Sequence, residues 1–227
     1  MKKSMLILSV AAALFSATTI AYEKGDMLVR VGLTTVAPDE SSSNIFVGGG
    51  DLGFGLNVDN NTQLGLNFAY FFTDNWNVEV LAATPFKHDV NVNTNPLGLE
   101  QLAEVTHLPP TVSANYFFAD SGATFQPYVG VGLNYTIFFE EKFTSTNEDL
   151  GFSDLDLDAS FGVSAQVGFD YMIDKVWLVN ASVRYIDIST DATFTLNNTD
   201  LGAENASGNV TVDIDPLVYT LSIGYKF

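Results

Sequence analysis

The sequence predicts an all-β fold: an eight-stranded antiparallel transmembrane β-barrel with short periplasmic turns and long extracellular loops. Three observations predict this fold: a signal-like N-terminus, period-two alternation in eight segments, and connections that alternate between short and long. In each segment, large apolar side chains take every second position, and Gly, Ser, Asn, Thr and occasional charged residues take the others. Because a dry core would not tolerate these polar groups unpaired, the apolar face is expected to contact lipid and the polar face the lumen.

Residues 1–21 have the pattern of an export signal peptide. Two lysines precede an apolar run over 5–15, and small residues follow, ending at Ala21. The run is shorter than the about 20 residues that a membrane-spanning helix needs. We therefore expect a signal peptide over 1–21 and a single barrel domain over 22–227.

Eight strands are expected in the remaining chain. They are predicted at 27–36, 62–72, 76–83, 107–118, 125–139, 159–172, 177–186 and 217–227. The connections at 73–75, 119–124 and 174–175 are short. Those at 38–61, 87–106, 140–158 and 193–209 are long and are interpreted as loops. An even number of strands places both termini on one side, which is expected to be periplasmic.

The first four strands each place a polar or small file in the lumen. In strand one the odd-numbered apolar residues face lipid and Arg30 faces inward. In strands two and three the even-numbered residues face lipid, so that Glu79 and Leu81 of strand three face inward. Strand four begins around Pro109 and Pro110, which lack a backbone N–H and so indicate a strand entry or a bulge.

The last four strands place their odd-numbered apolar residues toward lipid. Strand five has small inward residues such as Gly130, which are expected to leave room in a narrow lumen. Strand six places Asp170 inward, and strand seven places Leu178, Arg184 and Ile186 inward. Strand eight alternates to the end of the chain.

Composition excludes several function classes. Asp and Glu total 27 against 9 Lys and Arg, so nucleic-acid binding is not expected. Cysteine is absent, so disulfides and thiolate metal sites are excluded. The acidic residues cluster in predicted loops, and Asp154-x-Asp156-x-Asp158 is interpreted as a solvated loop because the Gly and Glu of a calcium loop are missing. His88 and His107 have no accompanying hydrolase motif, so neither an enzyme nor a cofactor is expected.

Several stretches along the chain carry a family resemblance. They are NNTQLGL (60–66), LAATPF (81–86) with His88, HLPPT (107–111), PYVG (127–130), GLNYT (132–136), QVG (166–168) and WLVN (177–180). Together they resemble the OmpW family of Gram-negative outer-membrane proteins. The resemblance implies a narrow barrel whose hydrophobic pocket lets small apolar molecules enter from outside and leave laterally into the membrane. The aromatic C-terminal strand ending at Phe227 resembles the signal that the barrel assembly machinery recognises.

The resemblance also implies a lumen constriction at Leu81. The partner position, usually aromatic in relatives, is Arg184 here, and a buried guanidinium needs a carboxylate such as Glu79 or Asp170. The candidate lumen and gate residues are Leu81, Arg184, Glu79, Asp170, Arg30, Leu178 and Ile186. Their charged members could form a selectivity element or an ion-pair network that plugs the barrel. The plug is favoured because an eight-stranded lumen is only wide enough for side chains or one small ligand.

Two functions from different classes remain open. The first is a channel or pocket that passes small hydrophobic molecules across the outer membrane. The second is a structural or surface-interaction barrel whose acidic extracellular loops bind partners or cations. Outer-membrane lipid is an expected partner in either case, and the small solutes are partners in the first.

Overall fold

The computed structural model describes residues 22–39, 41–92, 101–120 and 122–227, so the predicted signal peptide lies outside the described residues. The strands are β1 (Met27–Ala37), β2 (Ser41–Ser42), β3 (Phe46–Val47), β4 (Gly50–Asp51), β5 (Leu56–Val58), β6 (Asn61–Phe71), β7 (Trp76–Ala83), β8 (Phe86–Val92), β9 (Gln101–Leu108), β10 (Thr111–Phe117), β11 (Phe125–Phe143), β12 (Phe152–Leu157), β13 (Ser160–Met172), β14 (Trp177–Ile186), β15 (Ser189–Asn198), β16 (Ala203–Asp213) and β17 (Leu217–Lys226). A short α-helix, α1 (Ser145–Asp149), follows β11, and a 3₁₀ helix spans Thr199–Leu201. Within the described ranges, no helix combines the length and the hydrophobicity needed to cross a bilayer.

Eight of these strands close into an antiparallel barrel. Their order is β1–β6–β7–β10–β11–β13–β14–β17, and β17 pairs with β1 to complete the ring. The seam runs from Leu28 opposite Lys226 to Ala37 opposite Leu217. The predicted fold class is confirmed, and the three short connections lie at the end of the barrel that holds the described chain termini. We call this the terminal end and the opposite one the loop end.

The predicted inside and outside faces are also confirmed. Leu33 and Leu221 on the seam strands are largely exposed, as a lipid-facing surface requires, whereas Leu28 and Arg30 are buried. Trp76 and Trp177 are exposed at the terminal end of their strands, where aromatic side chains suit a membrane interface.

The long connections lie at the loop end, but they are not irregular loops, because most of their residues form additional strands. One sheet extends from the far end of β11 through β9 and β8 to β5, and a second has the order β12–β15–β16–β3–β4, with β2 also on β16. The acidic series at Asp154, Asp156 and Asp158 therefore begins on a strand, β12, although its side chains are exposed. The missed signal is a short alternation: every second residue of β15 from Thr190 to Leu196 is buried.

The predicted fourth strand, 107–118, is in fact two strands. β9 ends at Leu108 and β10 begins at Thr111, with Pro109 and Pro110 between them. Prolines cannot donate to a ladder, so the pair interrupts pairing as expected for a strand entry. Below it β10 pairs with β7 and β11, and above it β9 pairs with β8 and β11.

The interior has three layers. An apolar cluster that includes Leu28, Phe71 and Phe117 fills the terminal end. A larger cluster, including Phe138 and Phe194, fills the space between the two sheets at the loop end. Between them lies a layer of buried polar and charged side chains.

We expect Gly32→Ala to destabilise the barrel by about 1–3 kcal/mol through overpacking at the seam. A Cβ at Gly32 would lie 2.1 Å from the carbonyl oxygen of Leu221 and 2.4 Å from the Cα of Ser222 on β17. The free energy of unfolding is measured by urea titration in lipid vesicles. Gly50→Ala is the control, because the nearest atom to its Cβ would be 3.4 Å away. Equal stability of the Gly32 variant and the wild type would contradict this account of the seam.

Candidate functional site

Four buried charges form a network across the lumen. The guanidinium of Arg30 donates from Nη1 to Oε2 of Glu79 at 2.8 Å and from Nη2 to Oδ2 of Asp170 at 2.6 Å. Nη2 of Arg184 donates to Oε1 of Glu79 at 2.6 Å. All four side chains are at most 3 % exposed. The sequence left Glu79 and Asp170 as alternative partners of Arg184, and the structure places it on Glu79.

Neutral amides extend this network to neighbouring strands. Oε1 of Gln166 accepts from Nε and Nη2 of Arg184 at 3.0 and 2.6 Å, and Nε2 of Gln166 donates to Asn115. Gly130 lies opposite both amide residues, and a Cβ there would lie 1.9 Å from Oδ1 of Asn115. The room that Gly130 leaves is filled by side chains from the adjacent strands. We call the four charged residues with these amides the polar plug.

The terminal end of the plug is closed by Tyr22, which precedes β1. Its hydroxyl donates to Oδ2 of Asp170 at 2.5 Å, and its ring stacks on Phe71 with centroids 4.3 Å apart. Phe117 packs edge-on against the same ring at 5.1 Å. Because the plug side chains are buried and aromatic rings cover their terminal side, the described structure closes the lumen to a continuous aqueous path.

Of the three apolar candidate residues, one lies on the terminal side of the plug and two lie on its loop-end side. Leu178 belongs to the apolar cluster at the terminal end. Leu81 and Ile186 each lie two residues beyond a plug residue, toward the loop end, and both line a cavity of only about 10 Å³ together with Phe86. Such a space holds about one water molecule. Leu81 and Arg184 thus lie at different levels along the barrel axis, with Leu81 closer to the loop end.

An apolar chamber lies on the loop-end side of Leu81 and Ile186, between the two loop-end sheets. It has about 80 Å³ of free space, and all of its lining residues but three are apolar. Phe54, Phe138 and Phe194 contribute much of the wall. We call this space the loop-end chamber. The sequence stretches that form it were assigned to loops, so its walls were not predicted.

The three polar lining residues are His88, His107 and Thr190. The hydroxyl of Thr190 donates to the carbonyl of Asp158 at 2.7 Å and is therefore satisfied. The rings of His88 and His107 stack with centroids 4.9 Å apart and planes 9° from parallel. Nε2 of each ring is buried without a hydrogen-bond partner among the described residues.

Both histidines are held in the neutral form. They lie on β8 and β9, beyond the eight barrel strands. Burial lowers the pKa of His88, although the backbone carbonyl of Asp59 opposes the shift. Burial, and then the nearby His88, lower the pKa of His107 to about 3. Neutral imidazoles suit an apolar wall, because a charged ring there would lack a counter-ion.

In the sequence no hydrolase motif accompanies these histidines, so their chemistry predicts no site there. Their spacing on two strands of a hairpin was a usable signal: Phe86 pairs with His107, and His88 with Val105. Among the residues that the structure describes, no group of three His, Cys, Asp or Glu side chains could hold a metal ion.

We expect Glu79→Gln to destabilise the protein by about 3–5 kcal/mol, because it leaves buried guanidinium charge without its partner. Arg184 would lose its ion pair, and Arg30 would keep only Asp170. The free energy of unfolding in lipid vesicles measures the effect. Glu104→Gln is the matched control: its pairs with Lys87 and Lys142 are half-exposed and contribute at most about 1 kcal/mol. A Glu79 variant no less stable than the Glu104 variant would show that the plug contributes little.

We expect the hairpin of β8 and β9 to lose stability when the pH falls from 7 to 5. Unfolded histidines bind protons below about pH 6.5, whereas burial keeps the folded rings neutral, so stability is complete above that pH and is lost toward pH 3. Asp59 and Asp89 oppose the shift at His88 without abolishing it. Hydrogen-exchange protection factors of β8 and β9 should fall at least about tenfold. The double variant His88→Phe/His107→Phe should show no such fall, and a wild-type hairpin insensitive to pH would refute the expectation.

Comparisons with known proteins agree with this architecture. The profile of the OmpW family matches residues 23–227. Outer membrane protein W of Vibrio cholerae serotype O1 is 46% identical over 228 residues, which is 100% of both chains. The crystal structure of outer membrane protein OprG from Pseudomonas aeruginosa superposes with a TM-score of 0.86 at 42% identity, covering 92% of this chain and 99% of that one. Dibenzothiophene metabolism operon protein PahQ of Pseudomonas aeruginosa is 29% identical over 205 residues, 90% of each chain. The chain therefore belongs to the OmpW family and is a β-barrel protein of the Gram-negative outer membrane.

Proposed function

We propose that this protein admits small apolar molecules through the outer membrane and that the loop-end chamber is their entry site. The observation that carries the proposal is a cavity of about 80 Å³ with an almost wholly apolar wall, at the end of the barrel expected to face outward. Sites for small ligands are typically concave and mostly apolar, with few polar groups. The name of the relative PahQ, which refers to the metabolism of an apolar aromatic compound, supports the same solute class.

The size of the chamber favours small solutes. An engineered protein cavity of about 150 Å³ is large enough to bind benzene, and the chamber has about half of that free volume. A ring-sized solute therefore requires the walls to move apart. No strand ladder joins the two loop-end sheets in the described residues, and separation at the edge of β5 would break the hydrogen bond from the Leu56 N–H to Ser42 Oγ of β2.

The polar plug determines where a solute can go next. Arg30, Glu79, Asp170 and Arg184 fill the lumen below the chamber, and an apolar molecule would have to break buried ion pairs to pass them. We infer that Leu81 and Ile186 form the apolar floor on which the solute stops. Exit is then sideways, through the barrel wall above the plug into lipid.

The last strand supports a proposed partner in biogenesis. Leu221, Ile223 and Phe227 form an exposed apolar file at the end of the chain. We infer that the barrel assembly machinery recognises the strand ending at Phe227.

We expect Ala192→Leu to reduce the uptake of radiolabelled toluene several-fold, because three added carbon atoms would occupy much of the chamber. Ala192 is buried in the chamber wall on β15. Uptake is measured into vesicles whose outer leaflet contains lipopolysaccharide, with protein-free vesicles as the blank.

Thr193→Leu is the matched control, since Thr193 is the next residue of β15 and faces away from the chamber. It should leave uptake unchanged. Equal uptake by both variants and the wild type would argue against entry through the chamber, and no uptake above the blank by any of them would argue against transport.

A further inference from the structure

We infer that the loop-end chamber selects molecules with an apolar body and a single hydroxyl group, which donates a hydrogen bond to Nε2 of His88. This inference rests on the proposed function and adds a chemical preference to it. It follows from the hydrogen bond that Nδ1, the other ring nitrogen of His88, makes with the backbone carbonyl of Asp59.

The tautomer of His88 is fixed by its neighbour. Nδ1 of His88 lies 2.5 Å from the backbone carbonyl oxygen of Asp59. A carbonyl oxygen can only accept, so Nδ1 must carry the proton. In a neutral ring Nε2 is then an acceptor with no proton of its own. Burial of the ring, with the second imidazole of His107 stacked on it, favours this neutral form.

This acceptor has no partner within the described protein. Nε2 of His88 is buried, and the residue is only 3 % exposed, so a donor on the ligand reaches this atom as the chamber walls move apart to admit the solute. The one nearby hydroxyl in the chamber lining, that of Thr190, is committed to the carbonyl of Asp158. A buried polar atom without a hydrogen bond carries a desolvation cost that a donor in the ligand would remove.

The surroundings of the atom decide which donor fits. A buried water usually makes about three hydrogen bonds, and the apolar wall offers few partners beyond the two imidazoles. A metal ion is disfavoured, because no third His, Cys, Asp or Glu side chain completes a site in the described structure. An alcohol or a phenol, in contrast, places its hydroxyl on the histidine and its carbon body against the phenylalanine and valine side chains.

The acceptor state of Nε2 makes the preference specific. A hydroxyl can donate to it, whereas an ether, a ketone or an aldehyde has only acceptors and gains nothing at this atom. Phenol, anisole and toluene are probes that share an aromatic body. Phenol is a donor and an acceptor, anisole is an acceptor only, and toluene is neither.

The test measures the dissociation constants of these three probes by equilibrium dialysis. The full-length mature protein is refolded in lipid nanodiscs, and empty nanodiscs correct for partition into lipid. Wild type should bind phenol about tenfold more tightly than toluene, and anisole should bind like toluene. His88→Phe keeps an aromatic ring and removes the acceptor, so phenol should lose its advantage and bind no more tightly than toluene, because its buried hydroxyl would have no partner. Lys87→Gln, an exposed neighbour on β8, should keep the wild-type preference.

Three outcomes separate this inference from the proposed function. Toluene binding without a phenol preference in the wild type would overturn the inference and leave the chamber as an apolar entry site. A phenol preference that persists in His88→Phe would also overturn it. Failure of every probe to bind would overturn both proposals.

Nitrogen NMR of histidine-labelled wild type provides a test that needs no variant to fold. The Nε2 signal of His88 should be that of an unprotonated ring nitrogen and should shift on addition of phenol but not of toluene. A proton on Nε2 in the free protein would refute the inference directly.

Discussion

The buried ion pairs among Arg30, Glu79, Asp170 and Arg184 are the interaction on which the rest of the barrel depends. The four residues lie on β1, β7, β13 and β14, so their contacts join distant parts of the wall across the lumen. A slip of one residue in any of these strands would turn its charge toward lipid and its apolar file inward. A charged side chain on the lipid face costs up to about 2–4 kcal/mol at the midplane. The network therefore helps to specify the register of the barrel as well as to fill it.

The same network divides the protein into two chemically different spaces. Below it, aromatic side chains that include Tyr22 and Phe71 pack together at the terminal end. Above it, the chamber keeps free volume in an apolar wall. On the proposed function, an apolar solute would be stable in the chamber and excluded from the plug, because entering the plug would separate buried charges without offering them new partners. The buried ion pairs alone would then stop passage along the barrel axis.

Much of the barrel could be predicted from the sequence because period-two alternation is a local property. The inward placement of Glu79, Arg184 and Asp170 follows from counting along a single strand. The contacts between them do not: Arg30 meets Glu79 and Asp170 at separations of 49 and 140 residues, and only the closure of the sheet brings them together. The chamber is harder to predict than these contacts. Its strands are short, their alternation spans few residues, and acidic surface positions gave them the composition of loops.

Strand β11 shows why extending the period-two alternation of the barrel does not predict the chamber wall. In β11 the even-numbered residues face the interior as far as Phe138, and continued alternation would turn Phe143 outward. Instead, Glu140 has a φ of 54°, and the pairing with β9 shifts between Phe139 and Lys142. This is the effect of a β-bulge, which adds a residue to one strand and bends it. The bulge reverses the phase, so that Phe143 is buried against Phe152 and Phe194 in the chamber cluster. In the barrel β11 presents an apolar file to lipid, and beyond the bulge it turns Phe143 inward, where this residue joins the cluster that lines the chamber.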